Sequence, residues 1–248
     1  MIEMLSIDLT SRCSKGCWFC YNGSSCRGDT VWTPEEVIAF ASDCIENGVK
    51  AVSLGGGEPL EFDGLFRILE VLNKLAFVSV TSNGLLLDDG DIWTRLIAHA
   101  PDKLHISIHF PENKNEISRV IRQIQRLNDT SIIPGVNMIV SADNQDVCRD
   151  VYSRLRRVLN PDGIILVPLR KAGKTPTPQM LKYVTGGEPF QSTSCLLGCR
   201  RPVGFASVSW DKQVAHCSFT SAKARLEELN HAGLVAALRS AVFIPCQK

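Results

Sequence analysis

Cys13, Cys17 and Cys20 stand within eight residues, in the run Cys13-Ser14-Lys15-Gly16-Cys17-Trp18-Phe19-Cys20. Thiolates this close together can wrap one face of a metal centre. A 4Fe–4S cluster held wholly by protein takes four thiolates. Three ligands leave one iron open to a substrate or cofactor, by the logic that gives a catalytic zinc its open position. A zinc knuckle completed by Cys26 is the plain alternative. A second group, Cys195, Cys199, Cys217 and Cys246, is separated by 3, 17 and 28 residues. Four soft thiolates suit iron–sulfur or zinc, with uncoordinated thiols as a further alternative.

The chain has 248 residues, ten of them cysteine. No basic region opens Met1-Ile2-Glu3-Met4, and no apolar run approaches the roughly 18–20 residues that span a bilayer. A cytoplasmic location is therefore expected, where thiols stay reduced and serve metals more often than disulfides. Hydrophobic residues make up 44% of the chain and the net charge is +1. Those values allow a full core and point to neither nucleic acid nor membrane. Cys44 and Cys148 fall on apolar helical faces and read as core, while Cys26 lies in a polar loop without an assigned role.

The elements that must hold these groups alternate. Strands are expected at Met4–Leu9, Ala51–Leu54, Phe77–Thr81, Leu104–Phe110, Gly135–Val140 and Ile164–Leu169. Helical periodicity lies between them. Thr33-Pro34-Glu35-Glu36 is a capping box with Pro at the first helical position. Val37, Phe40, Ala41, Cys44 and Ile45 then mark a buried face. Six βα units imply a parallel sheet with helical crossovers. The expected fold is α/β, a partial (β/α)6 TIM-type barrel over residues 1–170. In such folds the chemistry gathers at the C-terminal strand ends. The cysteine triplet follows the first strand directly. Residues 171–248 read as a linker and a small hairpin-plus-helix subdomain. The hairpin joins Val203–Ser209 to Gln213–Cys217, turning near Asp211-Lys212, and a helix is expected from about Ala222 to Ala241.

Cys13-x3-Cys17-x2-Cys20, with aromatic Phe19 before the last cysteine, resembles the signature of the radical S-adenosylmethionine (SAM) family. Gly55-Gly56-Gly57-Glu58-Pro59, ending the second strand, resembles the family's GGEP motif. The resemblance implies a 4Fe–4S cluster on Cys13, Cys17 and Cys20, with SAM on the open iron. It also implies that Phe19, Gly56, Gly57 and Glu58 bind SAM, the last three at its methionine end. An unhindered backbone edge and an anion beside the ammonium group would meet that need. Asn83, Ser107, Asn137 and Val167 match positions where family members contact SAM, toward its ribose and adenine for the last two. A turn residue is the plain alternative for Asn83, and core packing for Val167. His105 and His109 flank Ser107 in strand alternation and share its face, although a buried, satisfied histidine accounts for either one. A second GGEP, Gly186-Gly187-Glu188-Pro189, follows no apolar strand and reads as a loop.

The C-terminal cysteines resemble the shortened auxiliary-cluster extension called twitch, related to the longer SPASM extension. One auxiliary 4Fe–4S cluster on Cys195, Cys199, Cys217 and Cys246 is the expectation. By resemblance, flavodoxin or ferredoxin supplies an electron, SAM is cleaved to methionine and a 5′-deoxyadenosyl radical, and that radical takes hydrogen from the substrate. No side-chain acid or base can be named. Twitch and SPASM extensions commonly accompany peptide modification, so maturation of a ribosomally made precursor peptide, with a separate recognition protein, is the leading expectation. A small-molecule dehydrogenase or cyclase in cofactor or antibiotic assembly is the second. A non-enzymatic zinc-binding module is the remote third.

Overall fold

The computed structural model describes residues 1–171, 173–192 and 201–244. Its elements run β1 (Met4–Asp8), α1 (Pro34–Glu46), β2 (Ala51–Gly55), α2 (Leu65–Leu72), β3 (Phe77–Ser82), α3 (Gly90–Ala98), β4 (Lys103–Ile108), α4 (Lys114–Asn128), β5 (Ile133–Val140), α5 (Gln145–Leu155), β6 (Ile164–Pro168), α6 (Pro178–Val184), β7 (Gln191–Ser192), β8 (Phe205–Val208), β9 (Gln213–Ala215), β10 (Ala224–Arg225) and α7 (His231–Ser240). The six expected strands are all present. Contacts divide the chain into two units.

The first unit holds residues 1–82, 89–102 and 201–244. Its strands β8, β1, β2 and β3 pair in parallel in that order, and β9 and β10 extend the β8 edge antiparallel. One face is apolar: Leu5, Ile7, Val52, Leu54, Val78 and Val80 are buried there. The opposite face carries small polar residues in register. Ser207, Ser6, Ser53 and Ser79 form one row, and Asp8 lies beside Gly55 one step further along. Strict alternation of Val/Leu/Ile with Ser produces this two-faced sheet. α1 begins as expected. The Thr33 hydroxyl accepts from the Glu36 N–H and the Glu36 carboxylate accepts from the Thr33 N–H. Val37, Phe40, Ala41 and Cys44 are buried.

Two features of the C-terminal segment differ from the sequence expectation. The helix expected from about Ala222 starts only at His231, where the Asn230 side chain accepts from the Gly233 N–H. The preceding residues are drawn into strand pairing instead, with Ala224 and Arg225 opposite Val214 and Gln213. The hairpin itself forms around Lys212, whose φ of 59° is left-handed. β8 then pairs in parallel with β1, with Met4 opposite Phe205.

The second unit holds residues 83–88 and the described residues between 103 and 192. β4, β5, β6 and β7 pair in parallel in chain order. Helix α4 buries Ile117, Val120, Ile124 and Leu127 along one face, and Asn113 caps its start. α5 buries Cys148, Val151, Tyr152 and Leu155. The short helix α6 is capped by Thr177 with Pro178 at its first position. Among the described residues no helix is long and apolar enough to cross a membrane.

Candidate functional site

The loop after β1 carries Cys13, Cys17 and Cys20, all half-buried. Its entrance is pinned. The Cys13 N–H donates to the Ser25 carbonyl at 2.9 Å, and the Ser25 N–H to the Ser11 carbonyl at 3.1 Å. Between Cys13 and Cys17 the chain reverses at Gly16, whose φ of 62° a side chain would resist. The Cys20 N–H then closes a turn onto the Cys17 carbonyl at 3.1 Å. Ser14, next to the first cysteine, donates its N–H (2.9 Å) and its hydroxyl (2.7 Å) to one oxygen of Glu61. Residues 11–28 contain Arg12, Lys15 and Arg27 but no carboxylate. Three thiols on a short basic segment that carries no carboxylate of its own suit iron–sulfur chemistry better than a hard cation. The Phe19 ring meets Trp18 edge-on, with centroids 5.1 Å apart.

Gly55-Gly56-Gly57-Glu58 leaves β2 against this loop. The Gly57 N–H donates to the Thr10 carbonyl at 2.6 Å and the Glu58 N–H to the Arg12 carbonyl at 2.8 Å. Gly56 has φ 119°, and a Cβ there would lie 2.6 Å from the Thr10 oxygen. A Cβ on Gly57 would overlap the Arg12 carbonyl oxygen. The glycines are thus required by the close approach of two backbones, one of which leads into the cysteines. Glu58 is only 1% exposed. Its Oε1 accepts from the Leu60 N–H at 3.1 Å and from the Ser82 hydroxyl at 2.8 Å. The carboxylate expected beside the SAM ammonium group therefore also caps the turn after β2 and ties it to the end of β3.

Asp8 and Tyr21 escaped the sequence reading. Asp8 ends β1 on the polar face, is 4% exposed, and is reached by the Tyr21 hydroxyl at 3.5 Å. Burial lifts its carboxyl to about 6, against a smaller pull from Lys223. The Tyr21 ring is half exposed, but its hydroxyl turns inward. Burial, then the Asp8 charge, pushes that hydroxyl well above the usual phenol range, with Cys20 and Cys217 adding to the effect. Phe219 packs on the Tyr21 ring at 5.0 Å. The Cys217–Phe219 segment therefore lies against the cysteine loop. The available signal was the phase of β1: Asp8 falls in step with Ser6, opposite to Leu5 and Ile7. Cys195, Cys199 and Cys246 lie outside the described residues.

In the second unit, Asn83 and Gly84 form the turn that follows β3 in the chain. The Asn83 Oδ1 accepts from the Leu85 N–H at 2.8 Å, so the turn role weighed for this residue is present. Ser107 and Asn137 are opposite each other on β4 and β5. Asn137 Oδ1 lies 2.8 Å from His105 Nδ1. Burial holds His105 down to about 4, so the ring is neutral and Nδ1–H is the donor to that oxygen. Gly135 makes room for the ring, since a Cβ there would be 2.5 Å from it. Val167 is half-buried on β6, opposite Ile139. Cys44 and Cys148 are core thiols, each pushed up to about 12 chiefly by burial.

The structure thus combines parallel strands and helices with a cysteine loop after the first strand and a glycine turn locked against that loop. Residues 7–133, about half of the chain, match the Radical SAM superfamily, and the chain belongs to it. It is accordingly an iron–sulfur enzyme, and membership implies a 4Fe–4S cluster with SAM. Among curated relatives, the probable GTP 3′,8-cyclase of Methanocaldococcus jannaschii is 28% identical over 172 residues, 62% of this chain and 58% of that one. The GTP 3′,8-cyclase of Clostridium perfringens strain SM101 is 26% identical over 202 residues, 75% of this chain and 60% of that one. The chain thus spans about 60% of the length of these two relatives. The solved structure of Streptococcus suis SuiB bound to precursor peptide SuiA is similar over 88% of this chain and 60% of that one, with TM-score 0.73 and 15% identity. Native anSMEcpe with bound AdoMet covers 95% of this chain and 83% of that one, with TM-score 0.65 and 14% identity. These likenesses show the partial-barrel fold.

Proposed function

We propose that this chain cleaves SAM reductively and uses the resulting 5′-deoxyadenosyl radical to take hydrogen from a small molecule, in a ring-forming or dehydrogenating step. The observation that carries the first half is the backbone lock between Thr10–Arg12 and Gly57–Glu58. It joins the loop bearing Cys13, Cys17 and Cys20 to the turn proposed to hold the methionine end of SAM. When bound, a 4Fe–4S cluster would supply the electron for reductive cleavage of SAM. Cys13, Cys17 and Cys20 would be its thiolate ligands. Gly56 and Gly57 let the turn proposed to meet the methionine end of SAM sit against Thr10–Arg12, and Glu58 keeps that turn in place. Phe19, Asn83, Ser107, Asn137 and Val167 complete the proposed SAM contacts. A flavodoxin or ferredoxin is the proposed electron source.

The substrate half rests on the sequence relatives, whose names are those of GTP cyclases. They favour the small-molecule expectation over the peptide one. A second 4Fe–4S cluster at Cys217 with Cys195, Cys199 and Cys246 is part of the proposal, supported by the packing of the Cys217 segment against the cysteine loop.

Anaerobic reconstitution followed by iron counting tests the cluster half. About eight irons are expected in the wild type and about four in the C13A/C17A/C20A variant. A variant with none, beside a wild type with about four, would remove the auxiliary cluster. The substrate half is tested with SAM, dithionite and GTP. Formation of 5′-deoxyadenosine should rise above its uncoupled rate when GTP is added. No response to GTP or other purine nucleotides, together with a response to a candidate precursor peptide, would restore the peptide-maturase expectation.

A further inference from the structure

Helix α4 carries polar residues where its neighbours are apolar. Gln123 is 0% exposed, between the core residues Val120 and Ile124. Burying an amide is costly unless its donors and acceptor are used. They are used on the segment that follows β3. Gln123 Nε2 donates to the Gly84 carbonyl at 2.8 Å and to Asp88 Oδ1 at 2.9 Å, so one amide bridges both ends of that short segment. Arg119, one turn earlier, places Nη1 and Nη2 each 3.3 Å from the Asn83 carbonyl oxygen, and its Nη1 also donates to Gln123 Oε1 at 3.3 Å. Arg126, one turn later, donates to the Leu87 carbonyl at 3.4 Å. The three are spaced i, i+4, i+7, which places them along one side of a helix. The fit is tight. Gly84 has φ 75°, and a Cβ there would lie 2.7 Å from both Arg119 Nη1 and Gln123 Oε1 and 2.8 Å from Ile106.

We infer that Arg119 and Gln123 are positioning residues for SAM, acting through the Asn83–Gly84 turn. Neither is itself among the proposed SAM contacts. They fix the peptide plane and the side-chain origin of Asn83, whose own Oδ1 is committed to the Leu85 N–H. Freed from α4, the turn has several conformations open to it at Gly84, and SAM binding has to select one. That selection weakens the apparent affinity by the fraction of competent turns. The inference rests on the proposed contact between Asn83 and SAM.

Equilibrium dialysis of SAM against the reconstituted enzyme reads the effect, with iron content and thermal midpoint recorded for each variant. N83A, Q123L and R119M are compared with wild type. R122A, on the same helix, serves as the control, and R119K as the conservative replacement that keeps a donor near the Asn83 carbonyl. Q123L and R119M should each weaken SAM binding about tenfold, the loss of roughly one well-made hydrogen bond, with full iron content. R119K should recover most of the loss and R122A should match wild type. In uncoupled deoxyadenosine formation, the KM for SAM should rise more than kcat falls. If N83A weakens binding while R119M and Q123L stay within about twofold of wild type, whatever their thermal midpoints, the positioning role is overturned and the Asn83 contact survives. If N83A itself leaves binding unchanged, the Asn83 contact fails and the inference falls with it. R119M, at a half-buried position, decides the matter should Q123L fail to fold.

Discussion

The same four residues occur twice in this chain with opposite surroundings. At Gly56-Gly57-Glu58-Pro59 the backbone is pressed onto Thr10–Arg12, and Cβ atoms on either glycine would strike main-chain oxygen. At Gly186-Gly187-Glu188-Pro189 the glycines adopt φ of 66° and 91°, yet a Cβ on either meets nothing within 4 Å. Glu58 is buried and accepts two hydrogen bonds within the fold. The Glu188 side chain is 49% exposed and pairs with Arg156 at 3.1 Å, on the surface of α5. The first copy follows β2 and the second follows α6. A glycine-rich tetrapeptide therefore gains meaning from the element it ends. At a parallel strand's carboxyl end it is forced against a neighbouring strand's loop, and after a helix it is an open turn.

Substitution at Gly57 should separate the two copies most sharply. G57A drives a methyl into a carbonyl oxygen of the cysteine loop, so the two backbones must part. A loss of SAM affinity of at least about 100-fold, roughly 2.7 kcal/mol, is expected by equilibrium dialysis. Wild-type affinity in G57A would erase the distinction between the copies. The glutamates come next. E58A leaves the Ser82 hydroxyl and the Leu60 N–H without their acceptor, and should cost about 2–4 kcal/mol in urea unfolding.

Burial around the first copy extends to Asp8, beside Gly55, and carries a pH signature. Its carboxyl rests at about 6 in the fold against a usual 3.8. The protonated form is therefore favoured by folding. Its contribution to stability is full below about pH 4 and is lost as pH rises through about 6, up to roughly 3 kcal/mol. D8N should gain stability over wild type at pH 8, and the gap should close toward pH 4. Urea midpoints of the cluster-free chain across that range check the slope. A constant gap would place Asp8 in a wetter site than the first copy's setting implies.

Substitutions in the second copy should have the smallest effects. G187A meets no neighbour and pays only for its left-handed backbone, about 1–2 kcal/mol. E188A breaks a half-exposed ion pair worth no more than about 1 kcal/mol. Neither should alter SAM affinity, and a change in either would mean that the second copy serves the site after all.

Much of this was legible in the residues. Strand and helix periodicity located the six parallel strands β1–β6, because an alternation of apolar with small polar residues, as in β1–β3, reads the same in one dimension as in three. The capping box at Thr33 and Glu36 appeared as written, since it needs only neighbours three residues apart. The cysteine triplet and the first GGEP stood in the order of their strands. After residue 200 local signals located the hairpin around Lys212 but misplaced the start of the helix that follows. The stretch from Ala222 has a helical pattern, but Ala224 and Arg225 found strand partners in Gln213 and Val214, which no short window reveals.

By itself the sequence determined the cluster ligands Cys13, Cys17 and Cys20 as candidates, the alternating architecture, and the superfamily resemblance, all of which rest on spacing along the chain. Only the tertiary structure decided what those groups lean on. Glu58 is a buried cap bound to Ser82, Asp8 is a buried carboxyl facing Tyr21, and Gln123 spans the segment after β3. Each partnership joins residues from 13 to 39 positions apart. Their pairing follows from which strands and helices pack together, and packing is set by the whole chain burying its apolar face at once.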